Sequence, residues 1–294
     1  MIQKIIIIAV LVVMGLGVAI TLNAYQNYRD DRRERVARMQ EKAEEVQITI
    51  IEGWTIEDVA KYLEKQGLFS AEDFLNAAKK FDYTAFPLIQ KPSNATLEGY
   101  LFPDTYRVPK QATPELVLAK LLQNFSSRVE SLGLTSGNSA IVIPGFEKLS
   151  IVGGDGNAGV SLYDILTLAA IIERESGGKG AVSGPLSLDA ERGLVAGVFY
   201  NRLLIGQALE SDATVNYVTG KNSPGVSLKD TEVNSAYNTY KYAGLPPGPI
   251  GNPSLGSIRA ALKPTTTDYY FFLHKQPSGK VDFSRTFSEH VSKK

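Results

Sequence analysis

Glu175 stands where a helical pattern calls for a core residue. Ile165, Leu168, Ile171 and Glu175 fall on one stripe at three-and-four spacing, so a carboxyl continues a row of apolar side chains. It also lies in the last turn of the expected helix, where the backbone dipole presents partial negative charge. Burial and that dipole both favour the protonated form and raise the pKa. A carboxylic acid held neutral at about pH 7 can protonate the leaving oxygen of a glycosidic bond. The same residues also read as a solvated helix end, with Glu173, Arg174 and Glu175 facing water.

Glu173 competes for the role. It is two residues away, about 200° round the helix, so the pair cannot flank one sugar from the same side. A two-carboxylate hydrolase would need a partner from elsewhere in the chain, and Glu98 and Asp212 are the candidates.

A second signal is the run SAYNTYKYAGLPPGPIGNPS. Tyr237, Asn238, Thr239 and Tyr240 set rings and amides in a loop braced by Pro246 and Pro247. Flat rings suit the apolar faces of sugars and amides suit their hydroxyls, although an ordinary rigid loop has the same composition. Trp54, the only tryptophan, reads as a packing residue.

Other chemistries are excluded or unsupported. The chain has no cysteine, which removes disulfides and thiolate metal sites, and its two histidines cannot form a three-histidine centre. Catalysis is thereby limited mainly to carboxylates, hydroxyls, Lys or Tyr. There is no Gly-rich phosphate loop, metal-ligand cluster or nucleophile elbow, so no cofactor and no metal is expected. With 31 basic and 31 acidic residues the net charge is zero, and nothing global points to nucleic acid.

The elements that must position these residues follow from periodicity. SLYDILTLAAIIERESGG opens with Ser161 and Asp164 in a capping-box-like arrangement and is apolar almost all round, the mark of a buried helix. A second helix is expected over roughly Asp189 to Ile205. SDATVNYV and the Tyr237 run read as loops, followed by a short helix from Leu255 to Leu262. DYYFFLHKQPSGKVDFSRTF reads as two strands joined by a turn at Pro277 to Gly279.

Upstream, Val46 to Ile50 alternates as a short strand. Thr55 and Ser70 then cap two helices, and Gly67 stops the first. LEGYLFPDTYRV is dense in aromatics, and a further helix runs from Pro114 to about Leu132. Residues 133–160, rich in Gly, Ser and Asn around the island AIVIP, read as a surface excursion.

Ile5 to Leu22 carries no charge and as a helix would rise roughly 27 Å, close to a bilayer's hydrocarbon thickness. With no convincing cleavage motif after it, it reads as an uncleaved membrane anchor rather than a signal peptide. Residues 24–45, polar and free of Gly and Pro, read as a helical stalk. Arg29, Arg32, Arg33, Arg35 and Arg38 follow the span while Lys4 and the terminal amine precede it. Charge counting alone would therefore leave the bulk of the chain in the cytoplasm.

In order along the chain, EGYLFPDTY, AAIIERES, VAGVFYNRL, SDATVNYV, YNTY-x3-GLPPGPIGNP and the final aromatic strands resemble the endolytic murein transglycosylase family (MltG/YceG-like). The likeness covers roughly Val46 to His290. It implies an inner-membrane anchor with the catalytic domain outside the cytoplasm, against the charge count. It also implies a lytic reaction, in which one glutamate protonates the linkage between N-acetylmuramic acid and N-acetylglucosamine. The same group then takes the proton of the muramyl 6-hydroxyl as a 1,6-anhydro ring closes. The family's catalytic glutamate maps onto the E-x-E pair and is assigned to Glu175. Asp212, Tyr237, Asn238, Thr239 and Glu98 are the expected substrate contacts. Longer members carry a LysM-like module ahead of the strand-helix unit, and here the stalk leads almost directly into that unit.

The expected architecture is α+β: a transmembrane anchor (1–23), a helical stalk (24–45), a small strand-helix module, a reduced LysM-like region (46–96), and a mixed α+β catalytic domain (97–294). The expected activity is endolytic cleavage of nascent peptidoglycan strands that ends their elongation, with peptidoglycan synthases as partners by analogy. The alternatives are a muramidase-type hydrolase using Glu175 with Asp212 or Glu98, and a non-catalytic anchored peptidoglycan-binding module.

Overall fold

The computed structural model describes residues 22–30, 32, 44–136, 141–149, 160–176, 186–221, 225–275 and 280–293. The chain divides into two compact units, residues 1–46 and 47–294. In the first, residues 22–30 are helical (α1) and exposed. Apart from Leu22, the expected membrane span lies outside the described residues. Among the described residues no helix is long and apolar enough to cross a membrane.

The second unit mixes helices with two small sheets. Strand β1 (Glu45–Thr49) pairs with β2 (Thr105–Pro109), and helices α2 (Ile56–Lys65) and α3 (Ala71–Lys80) come between them in the chain. The caps act as their residue types require. The Thr55 hydroxyl accepts from the Asp58 amide and the Asp58 carboxylate accepts from the Thr55 amide, a capping box. Ser70 caps α3 through the Asp73 amide at 3.0 Å. Gly67, at φ +76°, supplies the left-handed residue that ends α2. The partner of β1 thus lies within the 97–294 region, so the strand-helix module closes on the chain that follows it.

Helix α4 (Pro114–Glu130) is capped by Thr113 with Pro114 in its first turn. Helix α5 (Leu162–Ser176) carries the capping box expected at its start: the Ser161 hydroxyl accepts from the Asp164 amide at 3.1 Å, and Asp164 accepts from the Ser161 amide at 2.9 Å. Ile165, Leu168 and Ile171 are buried, and α5 packs against α6 (Leu188–Leu204), α7 (Asp212–Thr219) and α8 (Leu255–Leu262). A helix apolar on nearly every side is at home in that position. Strands β3 (Phe271–Lys275) and β4 (Lys280–Ser284) pair antiparallel with Phe271 opposite Ser284, and α9 (Phe287–Ser292) follows. The turn expected at Pro277 to Gly279 lies outside the described residues.

Two readings change. SDATVNYV, expected as a loop, is the helix α7; it buries Ala213, Thr214, Val215 and Asn216 and ends at Gly220 with φ +67°. The excursion at 133–160 is partly docked. Ile143 and Phe146 are buried, and the Phe146 ring lies 5.1 Å from that of Tyr200. The apolar island recovers more by burying these side chains than a solvated loop would.

Candidate active site

Helix α5 delivers Glu175 in its last turn, and α7 receives it. The Ser211 hydroxyl donates to Glu175 Oε1 at 2.5 Å, and the Ala213 amide also donates to the carboxyl. Ser211 is the N-cap of α7 but makes no side-chain cap bond within that helix. A carboxyl from another helix therefore takes the capping position, facing the positive end of the α7 dipole. Burial raises the Glu175 pKa above the ordinary carboxylate value and outweighs the rest. The negative Asp212 adds to the rise, while Ser211, Ala213 and Arg174 oppose it.

The approach to Ser211 is held from two sides. Glu210 sits at φ +48°, an uncommon conformation for a side chain of its size. Its amide donates to the Thr239 carbonyl at 3.0 Å, and the Ser211 amide donates to Thr239 Oγ1 at 3.1 Å. From α6, Arg202 donates to the Leu209 carbonyl at 2.8 Å, to Glu210 Oε2 at 3.3 Å and to the Tyr270 carbonyl at 2.7 Å. Its guanidinium also lies over the Phe271 ring, 5.1 Å from the centroid. The turn that aims Ser211 at Glu175 is thereby tied to α6, β3 and the Tyr237 loop.

Glu175 opens into a cavity of about 500 Å³ that is also lined by Asp212, Arg202, Tyr240, His274 and His290. The Tyr240 hydroxyl donates to Asp212 Oδ1 at 2.6 Å. Burial, then the Asp212 hydrogen bond and charge, hold the Tyr240 phenol well above its usual pKa, so it stays a neutral donor. Burial pushes the His274 pKa down, so that imidazole favours its neutral form.

The other expected site residues divide. Asp212 shares the cavity with Glu175. Tyr237 does not line it, and its half-buried ring packs 5.1 Å from that of Tyr217. Asn238 is fully buried; its amide donates to the Thr231 and Val233 carbonyls and its carbonyl oxygen accepts from the Tyr240 amide at 3.0 Å. Thr239 is buried too, bonded to Ser211 and Thr214. These two side chains shape the loop from within. Glu98, only 3% exposed, accepts from the Ile56 amide and from Asn252 Nδ2 at 3.1 Å. Asn252 Oδ1 in turn accepts from the Gly99 and Leu101 amides, both at 2.9 Å. Burial lifts the Glu98 pKa to about 8.

Glu173 faces a different cleft, of about 930 Å³. Its carboxylate accepts from Arg192 at 2.9 Å, from Ser257 Oγ at 2.8 Å, from the Ser254 amide at 2.9 Å and from the Ser254 hydroxyl. Its oxygens are thus engaged in holding the N-terminus of α8 and neutralising a buried arginine.

Sequence reasoning passed over Ser211, Arg202 and the two histidines as site residues. Ser211 and Arg202 lie inside SDATVNYV and VFYNRL, and a charge within a buried helix was a usable signal for Arg202. No local pattern brings His274 and His290 to the same cavity. Among the described residues no group of three His, Cys, Asp or Glu side chains is arranged to hold a metal ion.

The sequence profile of the YceG-like family matches residues 24–294. A Bacillus subtilis protein named endolytic murein transglycosylase is 35% identical over 256 residues, covering 83% of this chain and 63% of that protein. A Streptococcus pneumoniae protein of the same name is 30% identical over 276 residues, covering 84% of this chain and 45% of that one. The chain therefore spans roughly half to two thirds of the length of these relatives. The crystal structure of a yceG-like protein from Listeria monocytogenes superposes with a TM-score of 0.67 at 28% identity, over 90% of this chain and 81% of that chain.

Proposed function

The chain belongs to the YceG-like family, and from that premise we propose that it is an endolytic murein transglycosylase whose single catalytic carboxyl is Glu175. The observation that carries the reading is the environment of that carboxyl. It is buried enough to hold a proton, yet it faces the Ser211 hydroxyl and the Ala213 amide, which stabilise the anion left once the proton is given.

The lytic reaction needs both states in turn. Glu175 donates its proton to the glycosidic oxygen between N-acetylmuramic acid and N-acetylglucosamine as the bond to the muramyl C1 breaks. The carboxylate then takes the proton of the muramyl 6-hydroxyl, whose oxygen bonds to C1 and closes the 1,6-anhydro ring. The proton returns to Glu175 and no water is consumed. Tyr240, whose one hydroxyl proton goes to Asp212, offers its phenol oxygen as an acceptor for sugar hydroxyls at the cavity wall. Tyr237, packed on Tyr217, holds the loops from within together with Asn238, Thr239 and Glu98. Cleavage inside nascent strands would end their elongation. A membrane anchor at Ile5–Leu22 would keep the catalytic domain on the extracytoplasmic side, close to peptidoglycan synthases.

Asp212 gives the hydrolase alternative its footing, as a second carboxylate in the Glu175 cavity. Its bond to Tyr240 occupies one oxygen, which favours a positioning role over activation of water.

Sizing the products of purified peptidoglycan strands tests the endolytic reading. Internal cuts yield a spread of shorter strands from the first minutes. Release of disaccharides alone, or no cleavage by folded protein, would contradict it.

A further inference from the structure

Arg174 stands between the two glutamates and lines three clefts at once. One is the Glu175 cavity, and one is the cleft on the Glu173 side. The third, of about 430 Å³, is bordered by Thr55, Lys61, Asn216 and Lys221. The clefts thus meet at this side chain. It is half-buried, and a Cβ placed on Gly53 would lie 3.9 Å from its Cγ, so its stem rests against the turn after β1.

The other arginines lining these clefts have acidic partners. Arg128 reaches Asp104 at 2.7 Å, Arg192 reaches Glu173 at 2.9 Å, Arg202 reaches Glu210 at 3.3 Å and Arg259 reaches Asp189 at 3.8 Å. Among the described residues Arg174 makes no hydrogen bond or ion pair. A half-buried guanidinium with its fork open is matched in shape and charge by a carboxylate, which it can hold through two parallel hydrogen bonds. Consecutive helical residues lie about 3.8 Å apart and about 100° round the axis. Arg174 lines the Glu175 cavity as well, so a group that it holds there lies beside the sugar that Glu175 addresses.

Resting on the lytic reading above, we propose that Arg174 binds a carboxylate borne by the muramyl sugar at the cleaved linkage, and so selects muramyl strands over unsubstituted aminosugar polymers. Two sources carry that chemistry: the free lactyl carboxylate of a strand stripped of peptide, and the carboxylates of an attached stem peptide.

The test uses the full chain carrying Glu175→Gln, so that nothing is cut. Binding is measured to peptide-bearing strands, to peptide-stripped strands and to oligomers of N-acetylglucosamine. Adding Arg174→Gln should weaken binding to muramyl strands about tenfold or more while leaving the N-acetylglucosamine oligomers unchanged, and Arg174→Lys should recover part of the loss. Loss confined to peptide-bearing strands assigns the stem peptide, and loss confined to stripped strands assigns the lactyl group. An equal loss on all three probes, or no loss, overturns the proposal, provided that thermal melting shows each variant folded.

With Glu175 intact, Arg174→Gln should raise KM for muramyl strands. Because Arg174 also holds the Glu175 pKa down, the variant should shift the pH profile upward on every substrate alike. A KM rise confined to muramyl strands is what separates carboxylate binding from that charge effect. If the carboxylate preference is present but intact protein leaves strands uncut, the anion site stands and the lytic reading falls. If strands are cut and Arg174→Gln leaves KM unchanged, the reverse holds.

Discussion

The Ser211 hydroxyl donates to Glu175 Oε1 at 2.5 Å, joining residues 36 positions apart in the chain. The N-cap of α7 thus serves a carboxyl of α5, which is held by the end of a helix that does not contain it.

Removing that bond should move the pH profile upward. Ser211 stabilises the anionic form of Glu175, so Ser211→Ala raises its pKa further. Because the first step needs the protonated acid, the alkaline limb of the kcat profile shifts to higher pH. The carboxylate step is slowed, and kcat at the optimum falls about tenfold. Asp212→Asn removes a neighbouring negative charge and should shift the same limb downward. Rate profiles of both variants check the two opposite signs.

The two glutamates should separate stability from activity. Glu173→Gln leaves Arg192 in a buried site with only the exposed Asp189 as counter-charge and should cost about 3 kcal/mol of stability by denaturant unfolding. Well below its melting temperature it should keep most of its specific activity. Glu175→Gln should do the opposite, melting no lower than wild type at about neutral pH while losing about a hundredfold or more in rate. A Glu173→Gln variant that is fully stable and inactive would reverse the assignment.

Glu98 should make the fold sensitive to pH. Its pKa rises from 4.5 to about 8 on folding, so between those values the native state binds more protons than the unfolded chain. Stability is therefore highest below the lower value, declines as pH rises through the window and levels off above about 8. Glu98→Gln cannot titrate, and its melting temperature should lose that part of the slope between about pH 5 and 8. Parallel melting curves for wild type and variant across this range would contradict the account.

Gly251 should tolerate no side chain. A Cβ there would lie 2.6 Å from the Gly53 carbonyl oxygen, where the Gly53 amide donates to the Asn252 carbonyl and the Asn252 amide donates to that of Trp54, both at 2.8 Å. Gly251→Ala should push the strand-helix module away from the GNPS loop and destabilise the protein by about 1–3 kcal/mol, read by chemical unfolding.

The legible parts of this protein were those that local rules govern. Thr55, Ser70, Gly67 and the Ser161–Asp164 box marked their helix ends because capping is decided within a few residues. Glu175 was legible because a carboxyl broke an otherwise apolar stripe. Helix α7 was not, because SDATVNYV is too short to show a period and is stabilised by burial against α5 and by the carboxyl at its N-terminus. Asn238 and Thr239 were read as sugar contacts from the rings and amides of their loop and from the family resemblance. Their burial depends on Thr231, Val233, Ser211 and Thr214, which no spacing brings together. The meeting of His274 and His290 with Glu175 likewise depends on where β3 and α9 dock.

The central claim is that Glu175 alone closes an anhydro ring without water, and the chemistry of the new strand ends tests it most directly. Purified peptidoglycan is digested by the full chain in 18O-labelled water and the ends are identified by mass spectrometry, beside a digest by Glu175→Gln. The account predicts 1,6-anhydromuramyl ends carrying no solvent oxygen from the wild type, and no new ends from the variant. Reducing ends labelled with 18O would contradict it and make the protein a hydrolase.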